Sequence, residues 1–296
     1  MGVKFFIISL LYTCLYNSGF GQQERLLKIG LIADPQYADQ DARGSRFYRN
    51  SLAKLDSATA YLNAAEVDFT VMLGDLVDAG PKDLAPALQK LKKLEHPVYN
   101  ILGNHDYVDV KNGAVLYKAL KMPRPYYSVK KGQWLFILLN TNEISEYATK
   151  NGSNERQSWE VLNNKLKTDK RKNGQPWNGG IGAKQLKWME NQLRKAQSQS
   201  KYVIILAHHP LFPENGLEAL NNREILDVIE KYPQVKAVIS GHHHPGNFAT
   251  YKGIPMITLE GMIETADQNA YGLLELGPNH LQISGKGRMS SRKIDF

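Results

Sequence analysis

The feature that most constrains this chain is a series of short apolar runs, each stopping on residues able to hold a metal. LIA ends in Asp34 and Gln36, VML in GDLVD with Asp75 and Asp78, and YNIL in GNHD with Asn104, His105 and Asp106. Farther on, VIILA ends in His208 and His209, and AVIS in GHHH with His242, His243 and His244. Runs of this length bounded by turn residues read as buried strands. Strands over 26–33, 68–73, 97–102, 133–140, 202–208, 235–240 and 255–260 alternate with helical patterns over 46–65, 83–94, 183–197 and 217–231. That alternation predicts an α/β domain. In open α/β sheets ligands collect beyond the carboxyl ends of the strands, so the five groups can meet in space although they are scattered from Asp34 to His244.

Taken singly, each group has an ordinary explanation. A polar turn ends most strands, and an isolated buried histidine usually satisfies a core. GDxxD, GNHD and GHxH occurring in order, each behind a strand, point instead to one site. Oxygen donors from Asp and Asn, mixed with imidazole and without thiolate, suit manganese, iron, zinc or magnesium and disfavour copper(I) or iron–sulfur clusters. Two such ions need a shared carboxylate, and the glycine before Asp75 lets the backbone bend so that one side chain can serve both. His209 and His243 are interleaved with the other imidazoles and are not expected to be ligands.

The remainder of the chain narrows the setting. Its first residues, MGVKFFIISLLYTCLYNSGFGQQ, have the layout of a signal peptide, with Lys4, an apolar stretch from Phe5 to about Tyr16, and cleavage expected after Gly21. That stretch is short for a membrane span, so a secreted or periplasmic protein with no stable membrane insertion is expected, with 22–296 as a single domain. Cys14 is the only cysteine and lies in the leader, which leaves a processed chain without thiol chemistry. The balance of 37 Lys and Arg against 29 Asp and Glu favours acidic partners without choosing among them. No interleaved aromatic and basic pattern supports nucleic-acid binding. Residues 144–182 form a polar insert rich in Asn, Gly and Lys, expected to be either a substrate lid or mobile surface. Its cations, Lys165, Lys167, Lys170, Arg171 and Lys172, read more readily as a solvated face than as a phosphate clamp.

The ordered motifs resemble the calcineurin-like metallophosphoesterases, whose pattern is D-x-[H/Q], GD-x-x-[D/G], GN-H-[E/D], H and GHxH. Within that superfamily LIADPQYAD, RFYRNSL at 46–52, NGGIGAKQLKWM at 178–189 and ITLEGMIETADQNAYG at 257–272 are similar to the manganese-dependent ADP-ribose/CDP-alcohol diphosphatases. The resemblance implies a sandwich of two mixed β-sheets flanked by helices and hydrolysis of the pyrophosphate in ADP-ribose, CDP-alcohols or related nucleotides. It implies one metal, manganese foremost, on Asp34, Gln36, Asp75 and His244, and a second on Asp75, Asn104, His208 and His242. It further implies attack by a metal-bridging hydroxide, a catalytic His105, and an Asp106 carboxylate that could orient the His105 ring. An amide at Gln36 in place of the usual imidazole tilts that position towards manganese or magnesium over zinc.

Substrate contacts are expected from Arg43, Arg46 and Arg49, apt for a second phosphate or else exposed on a helix face, where Arg46 and Arg49 are neighbours. Tyr37 is expected either to stack on a base or to pack at the strand end. The alternatives in function are a phosphodiesterase or phosphomonoesterase on the same centre, and a binding scaffold, which the complete donor set disfavours.

Overall fold

The computed structural model describes residues 1–2, 26–110 and 113–296. The signal-peptide reading and Cys14 therefore lie almost wholly outside the described residues. In chain order the strands are β1 (Leu27–Ile32), β2 (Phe69–Leu73), β3 (Val98–Ile101), β4 (Tyr127–Lys131), β5 (Trp134–Leu138), β6 (Ile144–Ser145) and β7 (Gly179–Gly180). They continue with β8 (Tyr202–Ala207), β9 (Val235–Ser240), β10 (Pro245–Tyr251), β11 (Ile254–Glu260), β12 (Ala270–Leu276), β13 (His280–Gly287) and β14 (Arg292–Asp295). The helices are α1 (Ser51–Ala64), α2 (Leu84–Leu91), α3 (Ala114–Ala119), α4 (Asn154–Thr168), α5 (Ala183–Ser198) and α6 (Asn222–Ile229).

Two six-stranded mixed sheets carry the fold, ordered β14-β13-β12-β1-β2-β3 and β10-β11-β9-β8-β5-β4. Side-chain alternation along each strand decides what lies between them. In β5, Phe136 and Leu138 join the core shared with the first sheet, whereas Leu135 and Ile137 face the helix layer with Met189 and Leu193 of α5 and Ile225 and Ile229 of α6. Phe69 of β2 meets Phe136 edge-on at 5.1 Å between ring centroids, across the seam. β1, β2 and β3 run parallel, as do β5, β8, β9 and β11. Asp34, Asp75, Asn104, His208 and His242 each follow the carboxyl end of one of these strands.

All seven expected strands form. β4, β6, β7, β10, β12, β13 and β14 were not foreseen: β6 and β7 have two residues each, the edge strand β10 buries none of its residues, and glycines interrupt β12 and β13. The expected helix at 46–65 begins only at Ser51: Arg43 and Arg46 exchange backbone hydrogen bonds in a tight turn, and a 3-10 turn spans Tyr48–Asn50. Arg46 and Arg49 thus share no helix face. Among the described residues no helix is long and apolar enough to cross a membrane.

The 144–182 segment is structured at both ends. β6 pairs with β7 at its base, and α4, capped by Ser153 accepting from the Arg156 N–H, rises between them with only Leu166 buried. So polar a helix has no apolar stripe to announce it. Lys165, Lys167, Lys170 and Lys172 are exposed, but Arg171 is not part of a solvated face. Its guanidinium reaches Glu214 at 3.3 Å, the buried Glu218 at 3.4 Å and Asn222 at 2.8 Å, tying the insert to the segment before α6. Removing the cation would leave Glu218 buried beside fewer partners. Arg171→Ala is expected to lower stability by about 3 kcal/mol in urea unfolding, with part of the loss recovered in the Arg171→Met, Glu218→Gln double variant.

Candidate metal centre

Four residues of the cluster, Asp34, Gln36, Asp75 and His242, have positive φ angles of 50°, 45°, 52° and 69°. Left-handed backbone at residues other than glycine costs on the order of 1–3 kcal/mol each and collects at functional sites. It turns each side chain back over the strand ends. Gly74, at φ 92°, starts the turn at Asp75. Gly103 leaves room for the carboxylate, since a Cβ there would lie 2.0 Å from Asp75 Oδ1.

The donors converge as the motifs require. Asp75 Oδ2 lies 3.0 Å from Gln36 Nε2 and 3.3 Å from His208 Nε2, and Asp75 Oδ1 accepts the His105 N–H at 2.8 Å. His208 Nε2 also lies 3.2 Å from Asn104 Oδ1 and 3.3 Å from His242 Nδ1. His244 Nε2 sits 3.1 Å from Gln36 Nε2 and 3.7 Å from Asp34 Oδ1. All seven expected ligand residues thus share one cluster.

Hydrogen-bond logic decides which lone pairs face inward. His208 Nδ1–H donates to the Leu73 carbonyl at 2.8 Å and His244 Nδ1–H to Glu264 Oε1 at 2.7 Å, so in the neutral ring each Nε2 carries the lone pair, that of His244 facing the Gln36 amide at 3.1 Å. His242 Nε2–H donates to Asn178 Oδ1 at 3.0 Å, leaving Nδ1 bare. Gln36 Oε1 is buried without a hydrogen-bond partner. A hollow lined by carboxylate oxygens, bare imidazole nitrogens and an orphaned amide oxygen is electrically unbalanced, and divalent cations supply the missing charge. These residues fit a metal pair.

Charge effects agree. Burial opposes ionisation of Asp75, but His208 and His105 hold its carboxyl well below the usual range. Burial pushes Asp34 up. Burial opposes protonation of His208, but Asp75 outweighs it and raises the imidazole to about 9. Burial and the neighbouring His209 hold His242 neutral, the form that ligates. His209 is satisfied elsewhere: its Nε2–H donates to the Trp177 carbonyl at 3.2 Å, and its Nδ1 accepts from the Thr141 hydroxyl at 2.8 Å. It has no lone pair left for a metal.

Several expected roles change. Asp106 does not orient the His105 ring, because its carboxylate accepts the backbone N–H groups of Asp75, Gly103 and Val77 at 3.0, 2.9 and 3.2 Å and so holds two ligand loops together. Asp78 faces the ring instead, with Oδ1 3.0 Å from His105 Nδ1. Against the cost of burial, Asp75 and Asp78 raise His105 to about 9, so it is an imidazolium at neutral pH. Tyr37 packs in the core at 7% exposure and does not line the cleft. Arg49 pairs with Asp39 and Asp41 at the surface, and Arg43 is exposed outside the cleft.

Arg46 is the one expected arginine that lines the cleft, a hollow of about 560 Å³ over the cluster whose walls include His105, Trp177, Leu217, His243 and Glu264. Residue types alone did not disclose Asn178 or Glu264, and they marked Asp78 in GDLVD without its partner His105. For Glu264 and Asn178 the available signals were an unassigned acid in LEGMIET and the asparagine of WNGG.

The turn that carries Glu264 is itself clamped. Lys54, buried in α1, donates to the carbonyls of Met262, Glu264 and Thr265 at 2.9, 2.8 and 2.7 Å, and Arg288 donates to those of Gly261 and His244. Burial, with Arg288 nearby, pulls the Lys54 ammonium down to about 8. Lys54→Met is expected to cost about 2–3 kcal/mol in denaturant unfolding and to speed amide exchange across 261–266, measured by mass spectrometry.

The manganese-dependent ADP-ribose/CDP-alcohol diphosphatase of Arabidopsis thaliana is 30% identical over 310 residues, covering 94% of this chain and 99% of the relative. Its Homo sapiens counterpart is 27% identical over 320 residues, covering 92% and 94%. A dimetal phosphatase from Danio rerio superposes with a TM-score of 0.83 at 25% identity, covering 91% of this chain and 98% of the other. The family model for calcineurin-like phosphoesterase matches residues 27–246. Covering β1 to β9 and every ligand loop, that match shows that the chain belongs to the calcineurin-like phosphoesterases and is a metal-dependent hydrolase.

Proposed function

We propose that this protein hydrolyses the pyrophosphate linkage of ADP-ribose, CDP-alcohols or related nucleoside diphosphate derivatives, using two divalent cations, manganese foremost. The observation that carries the reading is the set of inward lone pairs with its orphaned Gln36 Oε1, roofed by a cleft holding both a cation and a flat aromatic. Asp34, Gln36, Asp75 and His244 would hold one ion, and Asp75, Asn104, His208 and His242 the other. When bound, the pair supplies Lewis acidity towards the phosphoryl oxygens and towards water.

The chain's own residues supply the remainder. His105 keeps Nδ1 against Asp78, so Nε2–H is the proton it can present to a phosphoryl oxygen as negative charge builds there. Arg46 has the fork to grip the second phosphate, being 37% exposed and only 3.9 Å from Asp78. Trp177, 46% exposed at the cleft, offers a face on which a base can stack. The group expelled is a phosphate ester of low basicity, which departs as an anion and needs no strong general acid. A cationic side chain and an aromatic wall favour a nucleoside diphosphate derivative over a simple ester.

A panel of ADP-ribose, CDP-choline, a cyclic nucleotide and an aryl phosphate tests this. With manganese, turnover of the first two is expected to dominate, to vanish with chelator, and to fall at least 100-fold in His242→Ala. Turnover confined to the aryl phosphate would point to a phosphomonoesterase, and turnover confined to the cyclic nucleotide to a phosphodiesterase. Action outside the cytoplasm belongs to the same reading and rests on the leader-like residues 1–21. Intact mass of the exported protein is expected to show cleavage after Gly21.

A further inference from the structure

We infer that Asn178 is a positioning residue that holds the metal ligand His242 and both walls of the cleft in one arrangement. Its side chain is fully buried and all its polar atoms are used. Nδ2 donates to the carbonyls of Asn173 at 2.9 Å and Gly216 at 2.8 Å. A carbonyl can only accept, so these two bonds settle the direction of the amide. Oδ1 must then face His242, and at 3.0 Å it accepts the Nε2–H. Asn178 thereby selects the tautomer that leaves His242 Nδ1 bare, 3.3 Å from His208 Nε2 at the centre of the cluster.

Each of the two carbonyls belongs to a wall. Gly216 precedes Leu217, which lines the cleft, and Asn173 belongs to the turn that leads into Trp177. The Trp177 carbonyl is held independently by His209, whose ring lies 4.4 Å from that of His242. One amide therefore joins three chain segments, around residues 173–178, 216 and 242. A side chain that orients a ligating imidazole typically changes metal affinity 10–100-fold when lost. Asn178 also ties that orientation to the distance between Trp177 and Leu217, so loading the ion on His242 and shaping the cleft are one structural event.

The inference rests on the assignment of His242 as a ligand. Titration calorimetry of manganese into the metal-stripped full chain provides a readout independent of turnover. Wild type is expected to bind two ions, and His242→Ala to lose one. Asn178→Ala is expected to bind one ion as before and the second about 10–100-fold more weakly. Asn173→Ala, which breaks bonds from Asn173 Nδ2 to the carbonyls of Ala219 and Leu220 but leaves the Asn178 amide in place, is the control for loop packing. In Asn178→Asp a carboxylate can still accept from His242 but cannot donate to Asn173 or Gly216. It is expected to keep both ions and to raise the KM for ADP-ribose several-fold with a smaller change in kcat.

Asn178→Ala binding both ions like wild type, or weakening no more than Asn173→Ala, would overturn the inference while leaving the metal assignment intact. Wild type and His242→Ala behaving alike would remove the assignment and the inference together. If Asn178→Ala does not fold, Asn178→Asp decides: two tight ions with raised KM support the proposal, and loss of one ion or an unchanged KM defeats it.

Discussion

The crowding of lone pairs around Asp75 is the constraint on which the other features depend. Its carboxylate is buried with His208, Asn104 and Gln36 around it, and the neighbouring hydrogen bonds turn the bare nitrogen of three imidazoles inward. A protein interior does not tolerate such a hollow without compensating positive charge. Against the cost of burial, Asp75 raises the adjacent His208 to about 9. With divalent cations present, the same geometry becomes a ligand set. Metal binding by imidazole and carboxylate generally releases protons.

Such a hollow needs a scaffold that can bear strain. Parallel strands from both sheets end on one side, and four of the residues that follow them are in left-handed backbone conformation. The Asp106 carboxylate braces two of those loops by accepting N–H groups from Gly103, Asp75 and Val77. Lys54 and Arg288 grip the carbonyls that lead into Glu264 and leave His244. These are hydrogen bonds from buried or charged groups to backbone, the kind that over-determines a strained turn.

The cleft is coupled to this centre through the 144–182 segment. Pinned by the Arg171 ion pairs and by Asn173, that segment brings Trp177 to the cleft and Asn178 to His242. Catalysis by a metal pair depends on where the substrate phosphate is held, and small displacements are costly in rate. A wall built from the same residues that orient a ligand keeps the two in step.

Much of this was legible in the sequence. The apolar runs determined β1, β2 and β3 of one sheet and β5, β8, β9 and β11 of the other, and GDLVD, GNHD and GHHH held side chains that meet in the cluster, because strand periodicity and ligand chemistry are local properties of residue type. Gln36 carried the finer resemblance in the same way. Tertiary structure alone decided the partners. Nothing local distinguishes Asp78 from Asp106 as the carboxylate facing His105, since the choice depends on which loop lies above the ring. Arg43, Arg46 and Arg49 are equivalent as text, yet a tight turn sends only Arg46 into the cleft, and Tyr37 is absorbed by the core. Asn178 and Glu264 lie 64 and 20 residues from the histidines they hold. Such long-range hydrogen bonds leave no periodic trace, because they are set by how the two sheets and the insert close on one another.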